Sequence, residues 1–564
     1  MSNSAWQRLA PPTADRRPSA DSGLTEILEA LDGYLAEPGT TASLAAAETA
    51  GEYPREVLTG MRRHGLAELF VPDRATSPHL GLLNVLTARR SGSLAITVGV
   101  NALALLPVYL GGSPEQCEQV TRRLRAGRSA AMLLTELAHG SNLLRNEASA
   151  AVTDDGYRLI GEKHLINGGT EHEMLVTFMR TRRSPADRPM EVLRDFSVFL
   201  VDRDATTPAL PRWRTVPARS ADISGVRFEN TAVPRTALVG REGDGFSVIQ
   251  KSLRMSHAGI AALASGAVSG ALELAVSHAR TRDVYGQPIA GLGAIADHCA
   301  RMAALDVVVA ALAIKASLLA GAMGPAAAYF SAAAKYACCR FAEEAVSEGR
   351  QVLGARALLD DSGYSRFVRD ILLYGVFDGT SHVMLEDLSW YPPRFAAAGE
   401  ARPGTFEQLR SSYTAEPQPI RSQAARPWRP YAPALSARCG DLVRLTADPM
   451  AARVADLVAS FDTVVRAARS SGAWTAGQAM RFEVTGVLAE LEALLATAEL
   501  TLAGARREFG LGPVAEPDED AARYAISWLG DRLADRLSRL AIEATDTVDP
   551  ATACRDRVRA RVSA

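Results

Sequence analysis

Aromatic side chains are scarce in this 564-residue chain, at 6%, and so are cysteine and histidine, with six and nine copies. The cysteines are Cys117, Cys299, Cys338, Cys339, Cys439 and Cys554, and none forms a C-x-x-C pair. Neither a zinc ribbon nor a disulfide framework is read from such scatter; no metal is expected, and a reducing cytoplasm fits best. Net charge is nearly absent too, at −2, so no general attraction to nucleic acid or an anionic membrane follows. Lysine is missing from residues 441–564, where 15 Arg face 19 acidic residues for a net of −4. Binding to DNA requires basic groups that neutralise phosphates, and this region lacks the surplus. Residues 1–22 have no apolar core of signal-peptide type and are expected to be disordered. No later segment reads as a clean membrane span.

What is present is ordinary for a soluble protein, with 47% hydrophobic and 22% charged residues. The length exceeds what one hydrophobic core supports, so two to four domains are expected. Residues 23–128 read as helices: Leu24, Ile27, Leu28 and Leu31 recur at helical spacing, and Pro54 opens a helix that Gly65 ends. From 129 to 241, short β-type runs alternate with turn residues, which predicts a compact sandwich or barrel. Long Ala-rich segments between 242 and 392 predict a four-helix bundle with close packing. A Pro- and Arg-containing linker, 393–433, leads to a final helical extension, 434–564, with good amphipathic stripes. The fold class is therefore α+β: helical domain, β domain, helical bundle and an additional helical domain.

One stretch carries chemistry-bearing residues at the end of an apolar run: Phe377-Asp378-Gly379-Thr380-Ser381-His382. Taken alone it is either a turn with an N-capping hydroxyl or a base facing a buried substrate. Upstream, Thr135-Glu136-Leu-Ala-His139-Gly140-Ser141-Asn142 forms a Gly-Ser turn able to offer N–H and hydroxyl groups to phosphate oxygens. Arg282 opens Arg-Asp-Val-Tyr285-Gly-Gln-Pro-Ile and is a fork of donors suited to a pyrophosphate.

In register, these stretches resemble the acyl-CoA dehydrogenase and acyl-CoA oxidase flavoprotein superfamily. Pro54–Pro72, Gly161–Gly168 and Gln351-Val-Leu-Gly354 agree as well, so the resemblance runs from about residue 50 to 392. It implies FAD, with Thr135, Gly140 and Ser141 at the flavin ring and pyrophosphate, and Asn167 where a Thr or Ser usually reaches N5. Leu165 replaces a Trp that usually packs on the ring. Arg282, Tyr285, Gln351 and Gly354 would serve the FAD of a neighbouring subunit, which implies a homodimer or homotetramer, and Thr380 is placed with the cofactor.

By the same resemblance Asp378 replaces a catalytic Glu. It would take the α-proton of an acyl thioester on CoA or a carrier protein, while the β-hydrogen leaves as hydride to the flavin. Gly379, Arg254 and His257 fall to the substrate side; His257 is either core-facing or lines the acyl pocket, and His382 is a candidate partner for Asp378 one helical turn on. Asp is shorter than Glu by one methylene, about 1.5 Å. No carboxylate lies between Phe246 and Leu272, where some relatives keep their base, and Ser256 holds that alternative position. The electron acceptor is an electron-transfer flavoprotein or O2. A flavin monooxygenase and a DNA-binding damage-response protein are the other readings on this scaffold. Asp378 counts against the first, and the acidic extension against the second.

Overall fold

The computed structural model describes residues 22–185, 190–397, 405–424, 430–509, 511 and 516–545. The expectation of disorder over residues 1–22 falls outside them, except for Ser22, which starts a helix. The chain opens with helices α1 (Ser22–Ala36), α2 (Pro38–Ala50), α3 (Arg55–Arg63), α4 (Ser77–Ala88), α5 (Gly92–Gly111) and α6 (Pro114–Arg125). Their starts are written locally: the Thr76 and Ser91 side chains cap α4 and α5, and Ser113 forms a capping box with Gln116 at α6. Gly65, at φ 89°, turns the chain just after α3.

The β domain follows: β1 (Ala130–Leu133), β2 (Ser149–Val152), β3 (Gly156–Asn167), β4 (Met174–Arg180), β5 (Phe196–Asp202), β6 (Ala209–Leu210), β7 (Ile223–Pro234) and β8 (Leu238–Val239). They form one sheet in the order β6-β7-β3-β2-β4-β5-β8, with β1 parallel to β4. The long β3–β7 ladder slips register twice, and the second slip brackets Leu165, whose φ of 56° is left-handed. That bulge turns Leu165 outward, to 51% exposure.

The bundle is α7 (Gly245–Thr281), a small hairpin of β9 (Asp283–Val284) and β10 (Gln287–Pro288), α8 (Gly293–Met323), α9 (Ala328–Leu353) and α10 (Tyr364–Tyr374). Alanine and glycine permit the close packing: a Cβ on Gly266 of α7 would lie 2.3 Å from the Val85 carbonyl oxygen of α4. Contrary to the sequence reading, three segments are long and apolar enough to cross a bilayer, within 92–111, 245–281 and 293–358. Their most apolar windows are 78%, 67% and 89% buried inside the protein.

After α11 (Ser381–Leu388), the expected linker contains α12 (Pro392–Ala397), α13 (Thr405–Thr414) and a 3-10 turn, Ile420–Gln423. The extension is built on α14 (Leu435–Thr446), α15 (Pro449–Ser470), α16 (Gln478–Thr501) and α17 (Glu516–Thr545). It shares a continuous apolar core with the bundle, so it is a layer added to α8 and α9 and not an appendage. At its centre lies a fully buried ionic cluster. Arg438 donates to Glu492 at 2.7 and 2.9 Å and to Glu499 at 3.1 Å, while Lys315 of α8 donates to Glu499 at 2.7 Å and pairs with Glu492. Tyr329 and Tyr413 hydroxyls complete it, on Glu492 and Glu499. Two cations balance two carboxylates, and every charge is hydrogen-bonded, which is the condition for holding charge in a core.

Among the described residues there is no disulfide, and Cys117, Cys299, Cys338, Cys339 and Cys439 are free thiols. No group of three or more His, Cys, Asp or Glu placed to hold a metal occurs among them either.

Candidate active site

Asp378 follows α10 in a backbone conformation uncommon for a non-glycine residue, with φ 54°, and Gly379 continues it at φ 90°. Such a turn is left-handed twice over and needs to be held. The holding group is Lys335 of α9, 1% exposed, whose Nζ donates to the Phe377 and Asp378 carbonyls at 2.6 Å each and to that of Gly379. From α7, His257 Nε2 donates to the same Asp378 carbonyl at 3.1 Å. Burial, and then the Lys335 charge, hold the His257 imidazole well below its usual range, so it is neutral at physiological pH. Of the two readings of His257, the structure places it in the core, 3% exposed, against the Asp378 backbone.

The Asp378 carboxylate turns towards α7. One oxygen, Oδ2, is bound by the Ser256 hydroxyl, and Oδ1 is buried with no hydrogen-bond partner. Burial lifts this carboxyl to about 6, against the opposing pull of Lys335 and of the Ser256 hydrogen bond. The residue at the alternative base position thus meets the shorter carboxylate from the opposite wall. His382 does not partner Asp378: it is exposed, with its ring 5.8 Å from Phe482. The i to i+4 argument failed because α11 starts only at Ser381, capped by Thr380, so no helical turn spans 378 to 382.

Asp378 and Ser256 lie at a cleft of about 620 Å³, its mouth included, between α4, α5 and α7. Leu80, Val100, Leu103 and Leu106 make its walls apolar. Asn84 also lines it, with its Nδ2 engaged by the Gly259 carbonyl at 3.1 Å. Arg254 is not in this cleft; it lies 3.9 Å from Asp387 and lines a separate cavity with Tyr329, Trp390, Tyr391 and Arg394.

The expected cofactor residues fall into two groups. Thr135, Gly140, Ser141 and Asn167 lie where β1 and β3 end, and the His164 N–H donates to the Thr135 carbonyl at 2.9 Å to join the two strands there. Gly140 and Ser141 sit on an exposed turn, and a Cβ on Gly140 would have nothing within 4 Å. Asn167 is turned inward: its Nδ2 donates to the Ile96 carbonyl at 3.0 Å, and its Oδ1 is buried without a partner. Arg282, Tyr285, Gln351 and Gly354 form the second group, at the C-terminal ends of α7 and α9, all exposed. Arg282 is 26 residues beyond Ser256 along α7, about 39 Å at 1.5 Å per residue.

FAD has an apolar ring and an anionic pyrophosphate, and it fits these surfaces. The first group offers an open Gly-Ser turn, an orphaned buried amide oxygen and the out-turned Leu165. The second offers a guanidinium with no hydrogen-bond or ion-pair partner among the described residues.

Lys335 was not legible as a site residue, and its role is testable. Lys335→Met removes the charge and three donors from the turn. A displacement near 1 Å lowers a rate about a hundredfold, so flavin reduction by substrate is expected to slow by about tenfold to a hundredfold. The rising limb of its pH profile should also move to higher pH, because Lys335 holds the Asp378 carboxyl down. His257 and Ser256 meet the same turn and remain in place. A loss of rate with an unmoved pH profile would leave Lys335 only a structural part.

Residues 131–231 match the acyl-CoA dehydrogenase middle domain, and residues 243–389 match the acyl-CoA dehydrogenase C-terminal domain. Cyclohex-1-ene-1-carbonyl-CoA dehydrogenase of Geobacter metallireducens is 29% identical over 343 residues, which are 59% of this chain and 87% of that enzyme. The rat mitochondrial very long-chain specific acyl-CoA dehydrogenase is 27% identical over 64% of this chain, but the match spans 57% of its length. An acyl-CoA dehydrogenase from Bacillus anthracis, solved with FAD, superposes with a TM-score of 0.75 at 18% identity. It covers 98% of this chain and 92% of its own, so the fold likeness includes the C-terminal extension. The two matches follow one another along the chain, and the second contains Asp378, so the β domain and the bundle resemble those of the FAD-dependent acyl-CoA dehydrogenases.

Proposed function

We propose that the protein oxidises an acyl thioester at its C2–C3 bond, with Asp378 as the base that removes the α-proton. The observation that carries this reading is a buried carboxylate, lifted to about 6, at an apolar cleft. At neutral pH most of it is ionised, and its conjugate acid is strong enough to give the proton up afterwards. Bound FAD supplies the acceptor for the β-hydrogen and its electron pair. The chain's own residues do the rest: the cleft excludes water from the acyl group, Lys335 and His257 fix the turn, and Ser256 aims the carboxylate.

The thioester is carried by CoA or by a carrier protein, and Arg254 with Arg394 lines the cavity best suited to an anionic carrier arm. Two or more copies would assemble, with Arg282, which lies about 39 Å along α7 from Ser256, serving the cofactor of a neighbouring copy. A cytoplasmic location accords with the free thiols. The test is an anaerobic titration of the FAD-loaded protein with acyl-CoA and acyl-carrier substrates: loss of the yellow colour with formation of the α,β-unsaturated thioester is expected. A colour unchanged across the whole panel would sink the reading. Readmitting air and assaying peroxide then distinguishes O2 from an electron-transfer flavoprotein as acceptor.

A further inference from the structure

The cleft beside Asp378 takes its walls from the N-terminal helices and α7, but one lining residue, Ile420, comes from the connector to the C-terminal extension. Ile420 is 1% exposed, and the turn that carries it is pinned on three sides. Its N–H donates to the Ala75 carbonyl at 2.9 Å, ahead of α4. Three residues on, Gln423 is 1% exposed and donates from Nε2 to the Gly321 carbonyl at 3.1 Å, near the end of α8. The Gln423 side chain fills the place of a Cβ at Gly324, which would lie 2.0 Å from its Oε1. Arg421 pairs with Asp73 at 3.2 Å. A connector of arbitrary course would not be held so tightly by the α3–α4 loop and the α8–α9 turn together.

Two helical rulers place this strap away from the base. Ser77, which lines the cleft beside the strap, precedes Asn84 by seven residues on α4, and Asn84 is bonded to Gly259, within a turn of Ser256. Lys335, which grips the Asp378 turn, lies seven residues into α9 from the end that Gln423 packs against. Each is about 10 Å at 1.5 Å per residue. Asp378 and Ile420 therefore mark opposite parts of one apolar cleft.

We infer that Ile420 determines acyl specificity: the connector strap, not the dehydrogenase core, forms the floor of the cleft and limits the length of the acyl chain it takes. This rests on the reading of the cleft as the acyl site. An acyl chain longer than the floor permits would have to displace a side chain held by its own backbone hydrogen bond, and tight interiors resist such overpacking. One methylene in an apolar pocket is worth about 10- to 200-fold in discrimination, so a side chain the size of isoleucine is large enough to set a cut-off.

The test is anaerobic flavin bleaching by a series of straight-chain acyl-CoA thioesters, short to long, with wild type, Ile420→Ala and Ile420→Phe as FAD-loaded full-length proteins. For Ile420→Ala, kcat/KM for a chain two carbons beyond the wild-type optimum should rise about tenfold or more relative to the optimum. Ile420→Phe should shift the preference to shorter chains. Ile420→Val, a one-methylene change, should give the same shift as alanine in smaller measure should the other variants fail to hold FAD. Variants that keep the wild-type length profile overturn the role of the strap and leave the acyl-thioester reading standing. A wild-type protein bleached by no member of the series, whether presented on CoA or on a carrier protein, overturns both.

Discussion

Asp378→Asn is expected to retain FAD and lose flavin reduction by acyl thioester, by about 10²- to 10⁴-fold, the range typical of a removed general base. Asparagine is the same size, keeps an oxygen to accept from Ser256, and leaves the three carbonyls that Lys335 grips. What it removes is the one carboxylate among the described residues that line the cleft. For the wild type, the reductive rate should rise tenfold per pH unit below about 6 and level off above it, since the ionised form is the active one. Rapid-mixing spectroscopy reads both effects. An asparagine variant with wild-type reduction rate would remove Asp378 from the chemistry altogether. The missing methylene is not by itself an argument against turnover here, because the left-handed turn and Ser256 fix where the shorter arm points.

The second large effect lies in the ionic cluster beneath the extension. Glu492→Gln leaves the fully buried Lys315 and Arg438 facing a single carboxylate, and breaking a buried pair in this way costs about 3–5 kcal/mol. Denaturant unfolding followed by circular dichroism and by release of FAD should register the loss. Replacing Arg438 and Glu492 together by Met should recover much of it, because Lys315 and Glu499 then remain as a balanced pair. The two cations hold the Glu492 carboxyl down from 4.5 to about 2 despite its burial. Its folded value lies below its unfolded one, so this stabilisation is present above about 4.5 and is lost as pH falls through about 2. A Glu492→Gln protein should accordingly lose less stability than wild type on acidification across that window. A loss under about 1 kcal/mol at neutral pH would mean that water reaches the cluster, as it does for exposed pairs.

The α–β–α order and most strands were legible because each rests on a local pattern, helical spacing or a short apolar run, as in Met174–Arg180 and Phe196–Asp202, both buried on nearly every position. Asp378 was legible because a motif in register carried it. Its surroundings were not, since they arrive from residues 122 positions upstream, at Ser256, and 43 upstream, at Lys335. One physical signal did exist. Lys315 and Lys335 are each the single lysine of an Ala-rich helix, set in a locally apolar stretch, and a charge in such a stretch must find partners across the fold. Composition could say that such partners exist, but not that one lysine would meet two glutamates and the other three carbonyls. The connector misled for a related reason: proline and arginine mark 393–433 as a linker, while the role of Ile420 depends on where Ala75 and Gly321 come to lie.

The account turns on proton removal at the α-carbon by Asp378, and the most direct measurement is a deuterium substitution there. FAD-loaded protein is mixed without oxygen with an acyl thioester carrying hydrogen, or deuterium, at the α-carbon, and loss of the flavin's colour is timed for wild type and Asp378→Asn. The account predicts that wild type bleaches several-fold more slowly with the deuterated substrate and that the variant scarcely bleaches with either. Wild-type bleaching indifferent to α-deuterium, with the variant equally fast, would contradict it.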